Sequence, residues 1–184
     1  EQNGLGECVE PVQRMLEELA QTGAGVARDM YGAGGWMLHN NTDLWRAATP
    51  PDGARWALWP TGGAWLLQAL WDRWDYGRDP EYLRQVWPLF KGAAQFFVDT
   101  LQDDPHTGHK VTVPSLSPEN EHPFGAAICA GPTMDAQINL RDTPELARAA
   151  QRTLEIRGDD ATGWGIAWRL NFWARLGNGE RCLK

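Results

Sequence analysis

The fold is indicated first by the stretch Pro80–Gln102, which reads PEYLRQVWPLFKGAAQFFVDTLQ. Its apolar residues recur every three or four positions, as they do on a helix that packs against neighbours. Pro88 lies inside this pattern and predicts either a kink or two separate helices. Residues 62–76 show the same spacing, and a turn at Arg78-Asp79-Pro80 separates the two segments. Together they predict a helical hairpin.

An amphipathic helix is predicted ahead of this hairpin, at residues 9–22. Its apolar side chains recur at helical spacing, and Pro11 suits the first turn, where a missing N–H costs little. Gly23 and Gly25 are expected to end the helix, because glycine is the residue that most often follows a helix C-terminus.

Two more helices are predicted in the last third of the chain. Residues 143–157 begin with Thr143 as the cap and proline at the first helical position, and residues 163–176 form the last helix. The one short strand is predicted at 110–113. Paired helices with polar loops between them predict an all-α fold, which is an α/α toroid or part of one.

Length and charge exclude several classes of protein. The chain has 184 residues and a net charge of −7, so it can bury a sizeable core but offers no basic face for nucleic acid. No run of 18 apolar residues is present, and no membrane span is expected. The polar start at Glu1 shows no signal peptide, which predicts a mature product or an internal fragment of a longer chain. A secreted or periplasmic location is favoured.

Cysteine and histidine provide no metal cluster. Cys8, Cys129 and Cys182 are widely spaced, and an odd number without a CxxC pair argues against a zinc site or a disulfide framework. One bridge at most could form. Buried free thiols are the favoured interpretation, because free cysteine is among the most buried residue types.

Tryptophan is unusually abundant, with 11 in the chain. Aromatic planes stack on the C–H faces of sugars, so this abundance favours carbohydrate binding. The alternative is that the rings are packing residues, since each carries a large apolar area. We expect about three quarters of them in the core.

The first polar constellation is the nine-residue stretch Ser115–Pro123, which reads SLSPENEHP. It contains the carboxyl groups of Glu119 and Glu121 and the imidazole of His122. Its prolines prevent a helix, so the stretch predicts a rigid polar loop of the kind that can hold a catalytic carboxylic acid. A surface loop with solvated acids is the alternative.

The second polar constellation lies in the stretch Tyr31–Trp45, where glycines precede a cluster of hydrogen-bonding side chains. The cluster comprises His39, Asn40, Asn41, Thr42 and Asp43. Trp36 and Trp45 flank it, which favours a sugar site over an ordinary Asx-type turn.

Asp135 has two interpretations. With Thr133 as an N-cap it lies in the first turn of a helix, where the helix dipole favours an acid. Alternatively, it makes a ligand hydrogen bond in the same cavity as the two constellations.

Five ordered stretches carry a family resemblance. They are Gly35–Trp45 (GWMLHNNTDLW), Trp59–Leu67 (WPTGGAWLL), Ser115–Asn120 (SLSPEN), Cys129–Asp135 (CAGPTMD) and Arg157–Trp168 (RGDDATGWGIAW). Together they resemble glycoside hydrolase family 95. The resemblance implies an (α/α)6 barrel, of which residues 1–184 form a part with long functional loops. It also implies an inverting α-L-fucosidase that cleaves terminal α-1,2-linked fucose without a cofactor, or an α-L-galactosidase of the same family.

The resemblance also implies roles for individual residues. It makes Glu119, in the Ser-Pro-Glu-Asn motif, the general acid. The other residues that it and the two constellations assign to a fucosylated oligosaccharide or glycan are His39, Asn41, Thr42, Asp43, Trp45, Glu121, His122 and Asp135. The family usually has a second histidine where this chain has Asn40, so one hydroxyl contact differs.

Two parts of the family's machinery do not match this chain. The asparagine pair that activates water lies just ahead of the stretch that Leu5–Cys8 resembles. The supporting acid lies in a segment that would fall between Ile138 and Thr143, and Asn139–Asp142 do not replace it. A non-catalytic sugar-binding fragment and a helical scaffold are therefore the alternative functions.

Overall fold

The computed structural model describes residues 4–105, 108, 110–116, 140–141, 144–158, 160 and 163–182. They fall into two compact units, one holding the described residues up to 116 and the other those from 140 onward. Each unit is helical, so the chain is all-α as predicted.

The first unit contains four helices and a small strand pair. A 3-10 turn at Gly6–Val9 leads into α1, and the other elements follow in chain order: α1 (Glu10–Tyr31), α2 (Ala54–Ala57), α3 (Gly62–Gly77), α4 (Pro80–Thr100), β1 (Gln102–Asp103) and β2 (Lys110–Val111). β1 and β2 pair antiparallel, with Gln102 opposite Val111. The predicted hairpin of α3 and α4 and the short strand are confirmed, although the strand ends two residues earlier than predicted.

The core of this unit lies where α1, α3 and α4 pack against one another. Leu16 and Leu19 of α1, Leu67 and Leu70 of α3, and a stripe of α4 are buried there. The stripe of α4 is made by Tyr82, Val86, Leu89 and Ala93, which recur at helical spacing. α4 runs through Pro88 as one helix, which excludes the two-helix alternative.

The prediction that α1 ends at Gly23 is wrong. α1 continues for 22 residues and ends before Gly32, whose φ of 63° is left-handed and whose N–H bonds back to the Arg28 carbonyl at 3.0 Å. Gly23 is buried against the backbone of Met37, so it serves close packing inside the helix rather than a stop. A tertiary contact of this kind outweighs glycine's modest helix penalty.

Residues 35–39, called here the 35–39 segment, run buried between the three long helices. Trp36 donates its backbone N–H to the Gly92 carbonyl at 3.2 Å and its indole N–H to the Leu89 carbonyl at 2.8 Å. Leu38 forms a parallel bridge with Thr61, at the start of α3. Glycines make this approach possible, because a methyl group at Gly62 would overlap the His39 carbonyl oxygen.

The second unit contains α5 (Pro144–Arg157), α6 (Gly163–Arg175) and the short α7 (Gly179–Cys182). Its buried core comprises Ala147, Leu154, Trp173 and Leu176. Gly158 follows the end of α5, and Gly177 lies two residues after the end of α6; both have a left-handed φ, as the glycine positions predicted. α7 was not predicted.

The prediction that most tryptophans are core residues is wrong for the described part of the chain. Trp36 and Trp173 are buried, whereas five others are exposed: Trp45, Trp56, Trp65, Trp71 and Trp87. α3 packs inward through small or aliphatic residues such as Gly63 and Leu67, which leaves the indoles of Trp65 and Trp71 exposed. A ring of this size is rarely covered completely.

The cysteines also differ from prediction. Cys8 and Cys182 are free thiols, but Cys8 is exposed on the 3-10 turn and Cys182 is half-buried on α7. Both lie on short terminal turns that contribute no buried residue, which explains their exposure. Cys129 lies outside the described residues.

Candidate functional site

The second polar constellation forms a closed loop at residues 40–48, called here the 40–48 loop. His39, at its start, bonds twice to Ala48, at its end. The backbone N–H of His39 donates to the Ala48 carbonyl at 3.3 Å, and its ring Nδ1 lies 2.7 Å from the same oxygen. The two ends of the loop are thereby held together, as in a compact Ω-loop.

The ring of His39 is fully occupied by neighbours. It is 0% exposed, and its Nε2 lies 2.7 Å from the hydroxyl of Tyr31, the last residue of α1. A carbonyl can only accept, so Nδ1 carries the proton toward Ala48, and the neutral ring accepts from the Tyr31 hydroxyl through Nε2. Burial lowers the pKa of His39 below its usual value, which keeps the ring neutral near pH 7. Burial also raises the pKa of Tyr31 to about 12, so Tyr31 stays a donor.

Asp43 organises the interior of the loop. Its Oδ1 accepts the backbone N–H of Trp45 at 2.9 Å and that of Ala47 at 3.1 Å. This is the Asx-type turn that the sequence left open as an alternative. Arg46 follows with a left-handed φ of 61°, and its N–H donates to the Asp43 carbonyl at 3.2 Å.

The loop is also attached to α1. Thr22 donates its hydroxyl to the Arg46 carbonyl at 2.8 Å, and the Arg46 guanidinium pairs with the Glu18 carboxylate at 2.6 Å. Both anchors lie on successive turns of α1, so the helix supports the loop along one side. Pairs this exposed contribute little individually, but several attachments together restrict the loop.

The tip of the loop faces solvent. Trp45 is 82% exposed, and Leu44 and Asn41 are exposed beside it. Thr42 is half-buried, and its hydroxyl oxygen is buried with no hydrogen-bond partner among the described residues. The arrangement offers an aromatic plane next to polar groups, and it suits a ligand with both C–H faces and hydroxyls.

Asn40 and the first two residues of the 115–123 stretch, Ser115 and Leu116, can be compared in the described part of the chain. Asn40 donates its backbone N–H to the Ala57 carbonyl at 3.4 Å, and Leu116 donates to the Leu58 carbonyl at 2.7 Å. Ser115, the first residue of the other constellation, is buried there. The start of the 40–48 loop and Leu116 therefore bond to two adjacent residues, Ala57 and Leu58.

Four of the predicted site residues lie outside the described residues: Glu119, Glu121, His122 and Asp135. The other five are His39, Asn41, Thr42, Asp43 and Trp45, and all of them belong to the 40–48 loop or its base. Their assignment to substrate stays a prediction, although for His39 both ring nitrogens are already bonded within the chain.

Tyr31 is a residue that sequence reasoning missed as part of this site. It is the last residue of α1. After the glycine-rich stretch that follows, the chain folds back and brings His39 within hydrogen-bond distance of the Tyr31 hydroxyl. Hydrogen-bonding partners eight residues apart follow no helical or strand period, so no local signal was available.

The described residues give no evidence of a metal site or of a membrane-spanning helix. No group of three or more His, Cys, Asp or Glu side chains lies close enough there to hold a metal ion. None of the helices described is both long and apolar enough to cross a membrane.

The profile of the glycosyl hydrolase family 95 catalytic domain matches residues 1–141 and again residues 136–184. The chain belongs to this family. The two matches overlap at residues 136–141, and a segment of the family was expected to be missing between Ile138 and Thr143.

Two curated relatives match different shares of the chain. Alpha-L-fucosidase 2 of Arabidopsis thaliana is 29% identical over 259 aligned positions, which include 98% of this chain and 31% of that protein. Probable alpha-fucosidase A of Aspergillus niger is 34% identical over 142 positions, with 74% of this chain and 17% of that protein. The chain thus spans less than a third of either relative. Because 259 positions exceed the 184 residues present, the plant protein carries additional residues inside the matched stretch.

Proposed function

We propose that this chain is part of the catalytic domain of a glycoside hydrolase that removes terminal α-L-fucose from glycans. Its membership of family 95 over the whole chain carries the proposal, and both curated relatives bear α-fucosidase names. The proposed bond is an α-1,2 linkage at the end of an oligosaccharide.

The proposed reaction is a single displacement with inversion. Glu119 donates its proton to the glycosidic oxygen as the bond from that oxygen to the fucose carbon breaks. A water molecule attacks the same carbon from the opposite face, and a base takes a proton from that water. In such enzymes the acid and the base group lie roughly 6.5–9.5 Å apart.

The 40–48 loop has a binding role in this proposal. The exposed ring of Trp45 stacks on the sugar, and the side chains of Asn41 and Thr42 meet its hydroxyls. The exposure of Trp45 and Asn41 supports this assignment. Glu121, His122 and Asp135 complete the proposed set of hydroxyl contacts.

A second candidate is a sugar-binding chain without catalysis. It is favoured by the short connection between Ile138 and Thr143, where the resemblance puts the supporting acid, and by the small fraction of each relative that the chain spans. An α-L-galactosidase is the remaining alternative within the family.

The deciding experiment compares Glu119→Gln with the unchanged protein. The intact mass of the purified protein is measured first. Both proteins are then assayed on three substrates: an α-1,2-fucosylated oligosaccharide, an aryl α-L-fucoside with a good leaving group, and an α-L-galactoside. We expect the variant to lose roughly 10²- to 10⁴-fold in kcat on the oligosaccharide, the usual contribution of a general acid. The aryl fucoside should lose less, because its leaving group needs no proton.

Glu7→Gln is the matched control, since Glu7 is an exposed acid on the first turn of the chain. It should leave turnover unchanged. Full turnover by Glu119→Gln would remove Glu119 from the mechanism, and binding of the oligosaccharide without any turnover would favour the second candidate. Preference for the galactoside would move the activity to the alternative sugar.

A further inference from the structure

His39 has the residue type of a sugar ligand, but its contacts are those of a support. Its side chain is wholly buried, and both ring nitrogens are bonded to groups of the same chain. A sugar hydroxyl could bond to this ring only by displacing Ala48 or Tyr31. The role of His39 is therefore to close the base of the 40–48 loop.

Tyr31 holds the other side of the His39 ring. Its own ring packs edge-on against Phe96 of α4, with centroids 5.2 Å apart, and lies 5.8 Å from the imidazole centroid. Because Nδ1 already donates to the Ala48 carbonyl, Nε2 is an acceptor, and the Tyr31 hydroxyl donates to it. The hydroxyl thus selects the tautomer and the orientation that the bond to Ala48 requires.

We propose that Tyr31 is a positioning residue for glycan binding, acting through His39 to hold the 40–48 loop in its ligand-ready shape. The class of ligand rests on the proposed function, while the mechanical link rests on the contacts Tyr31–His39–Ala48. Tyr31 does not touch the sugar in this scheme. It keeps Trp45 and Asn41 presented from a loop whose two ends cannot separate.

Removing the hydroxyl alone tests the link. Tyr31→Phe keeps the ring and its packing on Phe96 but leaves the buried Nε2 of His39 without a partner. A buried polar group without a hydrogen-bond partner destabilises the folded state, so we expect the imidazole to rotate away from Ala48. Tyr76→Phe is the matched control, because Tyr76 is an exposed tyrosine on α3.

The first measurement is backbone hydrogen exchange of peptides that cover residues 39–48, in the intact protein. Tyr31→Phe should speed exchange at the amides of Trp45 and Ala47 by roughly 5- to 20-fold, while peptides from α3 stay unchanged. The second measurement is the dissociation constant for an α-1,2-fucosylated oligosaccharide. It should rise about threefold to tenfold, with the pH profile of kcat unmoved.

A pair with His39 makes the test specific. His39→Asn retains an N–H near the position of Nδ1 and removes the acceptor for Tyr31. If the two residues act through one bond, the double variant Tyr31→Phe/His39→Asn should exchange no faster than His39→Asn alone. Additive effects of the two substitutions on exchange would contradict a shared link.

The outcomes separate this inference from the proposed function. Unchanged exchange of the 39–48 peptides in Tyr31→Phe overturns the inference, whatever the activity does. Faster exchange with an unchanged dissociation constant also overturns it, because the loop shape would then not matter for binding. Faster exchange in a protein that binds no fucosylated oligosaccharide supports the link to the loop, and in that case it is the proposed function that fails.

Discussion

The 35–39 segment and the 40–48 loop are neighbours in sequence, yet they are held by opposite means. The segment is threaded between helices, with Trp36, Met37, Leu38 and His39 all buried and glycines clearing the way. The loop rests on side-chain hydrogen bonds, chiefly those of Asp43, and exposes Trp45. Close packing between helices holds the segment in place, whereas hydrogen bonds between specific polar groups hold the loop.

This difference separates support from recognition. The segment exposes little surface to a ligand, because Trp36, Met37, Leu38 and His39 are buried and the ring nitrogens of Trp36 and His39 bond within the chain. The loop retains an exposed ring and an exposed amide that contribute nothing to the core. Substitutions in the segment should therefore alter stability first, and substitutions at the loop tip should alter binding first.

The largest expected effect is that of Gly23→Ala on the packed segment. The added methyl group would overlap the Met37 carbonyl oxygen, and backbone atoms on both sides leave it nowhere to move. We expect the free energy of unfolding in urea to fall by about 3 kcal/mol or more.

Gly25→Ala is the matched control, two residues further along the same helix. A methyl group there would meet only the end of the Arg28 side chain, at 4.0 Å. Alanine also forms helix better than glycine, so stability should hold or rise by up to about 1 kcal/mol. Equal changes in the free energy of unfolding of the two variants would show that the contact between Gly23 and the 35–39 segment does not set the loss expected at Gly23.

Sequence patterns were sufficient for elements that depend on local features. α3, α5 and α6 follow from their apolar spacing and from the glycines and prolines at their ends. The course of α1 through Gly23 could not be predicted in this way, because the contact with Met37 forms only after the chain has folded back.

The candidate site shows the same division. The cluster from His39 to Trp45 was found from its residue types, and the structure gathers it into one loop. Its internal arrangement was beyond the sequence, since the same types fit both a ligand contact and a structural bond. The burial of His39 and its bond to Tyr31 depend on tertiary structure.

A medium-sized effect is expected from pH, acting on the base of the loop. Burial lowers the folded-state pKa of His39, whereas the unfolded chain has a value of about 6.5. Above that pH both states are neutral and the full stability is present. As the pH falls below about 6.5, the unfolded chain takes up a proton that the folded chain refuses, so stability declines until the folded-state pKa is passed. The slope from this residue is at most about 1.4 kcal/mol per pH unit.

Urea unfolding between neutral and mildly acidic pH measures this contribution. The chain has four histidines, so the informative quantity is the difference between the unchanged protein and His39→Asn. The variant should be less stable at neutral pH and should lose less stability on acidification. Parallel curves for the two proteins would mean that His39 is not the group that titrates.

The smallest effect on stability is expected at the loop tip, from Trp45→Ala. The ring is 82% exposed, so its removal should change the free energy of unfolding by no more than about 0.5 kcal/mol. Affinity for an α-1,2-fucosylated oligosaccharide should nevertheless fall by about tenfold, since a stacked aromatic plane would be lost. Trp87→Ala, at another exposed tryptophan but on α4, should leave that affinity unchanged. If both variants bind alike, the tip of the 40–48 loop is not the recognition surface, and the contrast between a supporting segment and a recognising loop would hold for stability alone.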